Sequence, residues 1–132
     1  MITTDVKYAT VLLVDDNPMD NMVHSQLITG SGFAKKTTTF ETAKDTLDFL
    51  KKASPEELPQ LIFLDIIMPV MDGFQFLEEF EKLGDGITSR CKIVMLSSSD
   101  SFKDLNRANK NKLVRKFLNK PLTIEMLAAI NI

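Results

Sequence analysis

Short runs of apolar residues recur along the chain, and most stop abruptly on a polar side chain. Positions 10–14 end at Asp15-Asp16, positions 61–64 end at Asp65, positions 92–96 end at Ser97, and positions 113–118 end at Asn119-Lys120-Pro121. Continuous apolar runs of this length read as parallel strands buried on both faces. A threonine-rich stretch at 35–40 has the mixed polarity of a strand near a sheet edge. Between these runs the apolar spacing turns helical. Asn17-Pro18 marks a helix start, with Met19, Met22, Val23 and Leu27 as its apolar stripe and Gly30-Ser31-Gly32 as its close. Ala43, Leu47 and Leu50, with Phe49 beside them, predict a helix over 41–52 that stops before the turn-rich segment 54–59. Asp72 caps a third helix carrying Phe74, Leu77, Phe80 and Leu83, closed by Gly84-Asp85-Gly86. Phe102, Leu105 and Ala108 predict a fourth, and Ile124, Leu127 and Ile130 a fifth. Five strands alternating with five helices predict a doubly wound α/β fold around a parallel sheet with right-handed crossovers.

At 132 residues the chain is expected to form one domain with its own core, and 44% apolar residues make global disorder the wrong expectation. No apolar run is long enough to span a bilayer and the first residues carry no apolar signal region, so no membrane role and a cytoplasmic location are expected. Cys91 is alone, which leaves no internal disulfide and predicts a small buried hydrophobe. The single histidine, His24, falls beside the predicted apolar stripe and is expected at the surface or boundary with no catalytic duty. A net charge of −2 gives no electrostatic reason to expect nucleic acid. The charge is uneven, however. Lys103, Arg107, Lys110, Lys112, Arg115, Lys116 and Lys120 stand against Asp104 alone, a pattern that reads as a solvated face or a docking surface for an acidic partner.

In open parallel sheets, ligands collect outside the carboxyl ends of the strands. There this chain delivers Asp15 and Asp16, Asp65, Ser97 and Lys120. Three neighbouring acids raise one another's pKa unless a cation sits among them. Mg²⁺ suits such a set, since it takes oxygen ligands from one or two carboxylates and completes its shell with water and phosphate oxygens. A carboxylate can also attack phosphorus to form an aspartyl phosphate, a transfer that depends on positioning and on charge stabilisation. On this reading Asp65 is the acceptor, Asp16 a metal ligand, Asp15 a more distant acid, Lys120 a counter-ion to the phosphoryl oxygens and Ser97 a hydrogen-bond donor to them.

With Leu12-Leu13-Val14-Asp15-Asp16-Asn17-Pro18, Leu64-Asp65-Ile66-Ile67-Met68-Pro69-Val70-Met71-Asp72-Gly73, Val94-Met95-Leu96-Ser97-Ser98 and Lys120-Pro121 in this order, the chain resembles the receiver domain of two-component response regulators, the chemotaxis type being the familiar single-domain case. The resemblance covers nearly the whole chain. It implies a flavodoxin-like (βα)5 fold over 1–132, with a core at about 9–131 and no output domain. It implies Mg²⁺-dependent phosphorylation of Asp65 by a sensor histidine kinase or a phosphotransfer protein. The metal contacts implied are Asp16, Asp65 and the backbone carbonyl of Ile67, with Asp15 acting through water. Ser97 becomes a switch hydroxyl and Phe117 the aromatic that moves inward behind it, so that a downstream protein reads the face made by the fourth helix, fifth strand and fifth helix. Phe117 lacks a hydroxyl, which softens that switch. Ile67 and Ser99 fall where the family places side chains beside the phosphoryl group, and a branched Ile67 is expected to obstruct an attacking water.

Two rival readings remain at this stage. A phosphatase of the haloacid dehalogenase class places a second acid two residues after its nucleophile, where this chain has Ile67. A receiver-like interaction module that is never phosphorylated is the other. A dinucleotide site is excluded by the lack of a glycine-rich loop after the first strand.

Overall fold

The structure, a computed structural model, describes residues 6–98 and 102–132. Five parallel strands form one sheet in the order β2-β1-β3-β4-β5, with β1 at Tyr8–Val14, β2 at Ala34–Phe40, β3 at Leu61–Asp65, β4 at Lys92–Ser97 and β5 at Val114–Asn119. This is the flavodoxin-like doubly wound order, whose reversal beside β1 opens a crevice at the strands' carboxyl ends. The three central strands are buried on both faces, which is why they read as unbroken apolar runs.

Alternate residues feed two cores. On one face Leu12, Ile62, Leu64, Ile93 and Met95 pack against α2 (Ala43–Lys52), α3 (Gly73–Glu81) and Ala108 of α5 (Phe102–Asn109). On the other, Val11, Leu13, Phe63, Val94 and Leu96 pack against Ile28 of α1 (Pro18–Gly30) and Leu127 of α6 (Ile124–Ala129). Cys91 is buried in the first core, and burial pushes its thiol up to about 12, as expected of an inert small hydrophobe. Among the described residues no helix is long and apolar enough to cross a membrane.

Two features depart from the sequence pattern. The glycine-flanked close of the third helix contains a further turn of helix, α4 (Asp85–Thr88), so that six α-helices stand among the described residues where five are predicted. Gly84 permits this, with φ at +95° between α3 and α4. Leu83 thus lies beyond the end of α3, yet it still packs on the core.

The second departure concerns α1. Its expected apolar stripe faces outward: Met19, Met22 and Val23 are 62%, 48% and 51% exposed. The inward positions are Asn21, His24 and Ile28, with Leu27 half-buried beside them. His24 is therefore buried, not a surface or boundary residue. The polar and apolar stripes are both helically spaced. What selects between them is the surface below, since the first turns of α1 cover strand ends and only the last covers the apolar sheet.

Candidate functional site

Each site residue is placed by the end of a strand. Asp15 follows β1, Asp65 is the last residue of β3 and Ser97 the last of β4; all three are buried. Lys120 follows β5, and its backbone N–H donates to the carbonyl of Ser97 at 2.7 Å. The Lys120 ammonium then reaches back across the sheet edge. Its Nζ lies 2.5 Å from Asp15 Oδ2, 3.1 Å from Asp20 Oδ2 and 3.6 Å from Asp65 Oδ1. Carboxylate oxygens of Asp15, Asp16 and Asp65 fall within 4.8 Å of one another, with Asp16 the exposed member. The five residues named from the strand ends thus meet at one edge.

Local chemistry holds these groups in place. Asn17 caps α1, accepting from the N–H groups of Met19 and Asp20 at 2.9 and 3.2 Å, while its own N–H donates to Asp15 Oδ1 at 3.0 Å. One turn on, Asn21 Nδ2 donates to the carbonyls of Asp15 at 2.9 Å and Phe40 at 3.3 Å, joining the ends of β1 and β2. At β3, the Gly73 N–H donates to the Ile66 carbonyl at 2.8 Å. A Cβ on Gly73 would meet the Asp65 carbonyl oxygen at 2.6 Å, so only glycine lets α3 begin this close to the strand. Asp72 and Gln75 cap that start reciprocally, each side chain accepting from the other's backbone N–H.

The electrostatics follow from burial. Burial, with the charge of Asp15 behind it, raises the Asp65 carboxyl to about 6, against the pull of Lys120 and of the Ile66 N–H. Burial alone would lower Lys120, but its hydrogen bonds to Asp15 and Asp20 and the charge of Asp65 outweigh that and raise it. His24 is lowered, chiefly by burial, and its Nε2 accepts from the Leu122 N–H at 3.4 Å. A neutral imidazole is the form that can accept there.

The side chain of Ile67 is exposed at the rim of the site, and Phe117 is half-buried against the first core, paired in register with Met95. Ser99 lies outside the described residues. Of the basic stretch, Lys103, Arg107, Lys110, Lys112 and Arg115 are exposed; Arg107 stacks over the Phe74 ring at 4.1 Å and Lys112 lies 3.6 Å from Glu81. Sequence reasoning missed Asp20, Asn21 and His24, which form the inward polar face of α1. The spacing Asn17, Asp20 and Asn21, His24 was the available signal, a polar stripe at helical period beginning at a cap.

Residues 11–131 match the response regulator receiver domain family. The chain is 30% identical over 122 residues to the probable methanogenesis regulatory protein FilR2 of Methanothrix harundinacea, an alignment that takes in 89% of this chain and 75% of that protein. It is 28% identical to the two-component response regulator ORR1 of Oryza sativa subsp. japonica, of which it spans 49%. Among solved structures, the response regulator receiver protein of Dyadobacter fermentans superposes with a TM-score of 0.82 at 29% identity, over 90% of this chain and 91% of that one.

Proposed function

The chain belongs to the response regulator receiver family, and from that premise we propose that it accepts a phosphoryl group on Asp65 from the phosphohistidine of a sensor histidine kinase or phosphotransfer protein, with Mg²⁺ as cofactor. The observation that carries this reading is the meeting of a buried Asp65 with the Lys120 ammonium and two further acids at one sheet edge. The donor set fits the ion. It is all oxygen, it comes from short rigid positions at strand ends, and its surplus of negative charge is met by one lysine. Asp16 and Asp65 would hold Mg²⁺ with the Ile67 carbonyl, and Asp15 through water. When bound, the ion offsets charge on the phosphoryl oxygens and on the acids that face them.

The remaining roles fall to the chain itself. Without the ion, burial raises the Asp65 carboxyl to about 6, so it is mostly ionised at neutral pH, and the carboxylate is the form that attacks phosphorus. The carboxylate oxygen forms the new P–O bond as the P–N bond to the donor imidazole breaks, its electron pair staying on the imidazole nitrogen. Lys120 pairs with the phosphoryl oxygens and Ser97 donates to them. Movement of Ser97 then admits Phe117, and the change is read by a protein target on the α5, β5 and α6 face. This is a signalling module, and turnover of a metabolite forms no part of its role.

Incubation with a small-molecule phosphodonor and Mg²⁺, followed by intact mass, tests the proposal. The wild type should gain one base-labile phosphoryl group, and Asp65→Asn should gain none. A wild type that stays unmodified would leave the unphosphorylated interaction module as the better reading.

A further inference from the structure

Among the described residues the Lys120 ammonium has three carboxylate neighbours, and they are not equivalent. Asp15 at 2.5 Å and Asp65 at 3.6 Å belong to the strand-end acids, with side chains only 6% and 8% exposed. Asp20 at 3.1 Å comes from the first turn of α1, is 39% exposed, and stands apart from the three acids whose oxygens cluster. In this resting arrangement Asp20 is within hydrogen-bond distance of the ammonium and Asp65 is not.

We infer that Asp20 is a positioning residue: it holds Lys120 toward α1 while Asp65 is unmodified, and it is the partner that Lys120 gives up when a phosphoryl group arrives on Asp65. This rests on the phosphoacceptor reading above. The physical case is one of unequal cost. A carboxylate buried beside other acids loses heavily when its counter-ion leaves, whereas a carboxylate in contact with water is re-solvated at little cost. Asp20 is therefore the releasable partner. Its position also suits the task, because His24, one turn further along α1, accepts from the Leu122 N–H just past Lys120. The two side chains tie the same helix to both the side chain and the backbone of the segment after β5. Because Asp20 competes with the phosphoryl oxygens for a single ammonium, it opposes occupancy of Asp65 and sets how strongly a donor must drive it.

Beryllofluoride in saturating Mg²⁺, a mimic of the phosphoryl group, gives the test by calorimetric titration of the full chain. Asp20→Ala should bind the mimic about two- to fivefold more tightly than wild type, the scale of a partly exposed charge pair. Asp20→Glu, which restores the charge, should return the affinity toward wild type. In a Lys120→Met background the Asp20→Ala gain should vanish, since no ammonium is left to release; a merely structural Asp20 would not show this dependence. A wild type that binds the mimic alongside an Asp20→Ala variant of equal or lower affinity overturns this inference alone, as does a gain that persists without Lys120. A wild type that fails to bind the mimic overturns the phosphoacceptor reading, and this inference with it.

Discussion

Helices α1 and α3 start at the same edge of the sheet, each following a strand with a site aspartate at its carboxyl end, and each with a side-chain cap. They bury opposite chemistry. From α3, Phe74, Phe76, Leu77 and Phe80 go into an apolar core, with Phe76 and Phe80 stacked at 5.7 Å. From α1, Asn21 and His24 go inward and the methionines go out. The difference lies in what each helix covers. Beneath α3 are the alternate apolar residues of the central strands, whereas beneath α1 are the carbonyls of Asp15 and Phe40, the Thr37 hydroxyl that contacts Ser25, and the Lys120–Leu122 segment. A buried polar surface must be matched by hydrogen bonds, so α1 turns its polar stripe toward it.

The sharpest break of this contrast is on the α3 side. Phe80→Ala removes a fully buried ring and should cost about 3–5 kcal/mol, seen as a lower urea midpoint with little change in slope. A loss near zero would mean that α3 does not supply the core. On the α1 side, the corresponding break is at a polar residue. Asn21→Leu takes two donors from buried carbonyls and should cost about 2–3 kcal/mol, although it makes the buried face more apolar. Asn21 Oδ1 has no hydrogen-bond partner among the described residues, so the stabilising contribution comes from its amide N–H groups. A leucine that stabilised the fold would show that α1 needs only apolar burial.

A third prediction concerns the charge both helices enclose. The native Asp65 carboxyl sits at about 6 against 3.8 in the ordinary case, so the folded chain keeps a proton that the unfolded chain releases over that interval. The sign follows: this contribution is fully present below about pH 4 and is lost as pH rises through 6. Without added metal, Asp65→Asn should thus be more stable than wild type by about 1–2 kcal/mol at pH 7.5, with the gap closing below pH 4. Thermal or urea melts across pH 4–8 check it. Millimolar Mg²⁺ should narrow the gap at pH 7.5 by stabilising the wild type more than the variant. An equal gain for both would count against Asp65 as a ligand.

The sheet and the strand-end residues were legible because their signal is local. A strand buried on both faces is an apolar run, and the polar residue that closes it is automatically at the edge, as Asp15, Asp65 and Ser97 are; Lys120 joins them one residue past the half-buried β5. The face of α1 was not legible. Asn17, Asp20, Asn21 and His24 fit a helical stripe as well as Met19, Met22 and Val23 do, and the choice depends on Leu122 and Lys120, which lie far along the chain. The turn α4 was hidden for a different reason, since a single turn between glycines has no periodicity to read.

The smallest expected effect is therefore the one that separates the two helices most cleanly. Met22 lies on α1 where the sequence pattern suggests core, and a core methionine truncated to alanine costs about 2–5 kcal/mol. In the structure its side chain is half in water, so Met22→Gln removes few contacts and keeps a good helix former. The urea midpoint should move by less than the equivalent of about 0.5 kcal/mol. The same near-neutrality should hold for Met19→Gln and, with a small helix-propensity gain, for Val23→Gln. A cost above about 1.5 kcal/mol at Met22 would place the outer stripe in a core, and Asn21 and His24 could not then face inward from the same turns of helix.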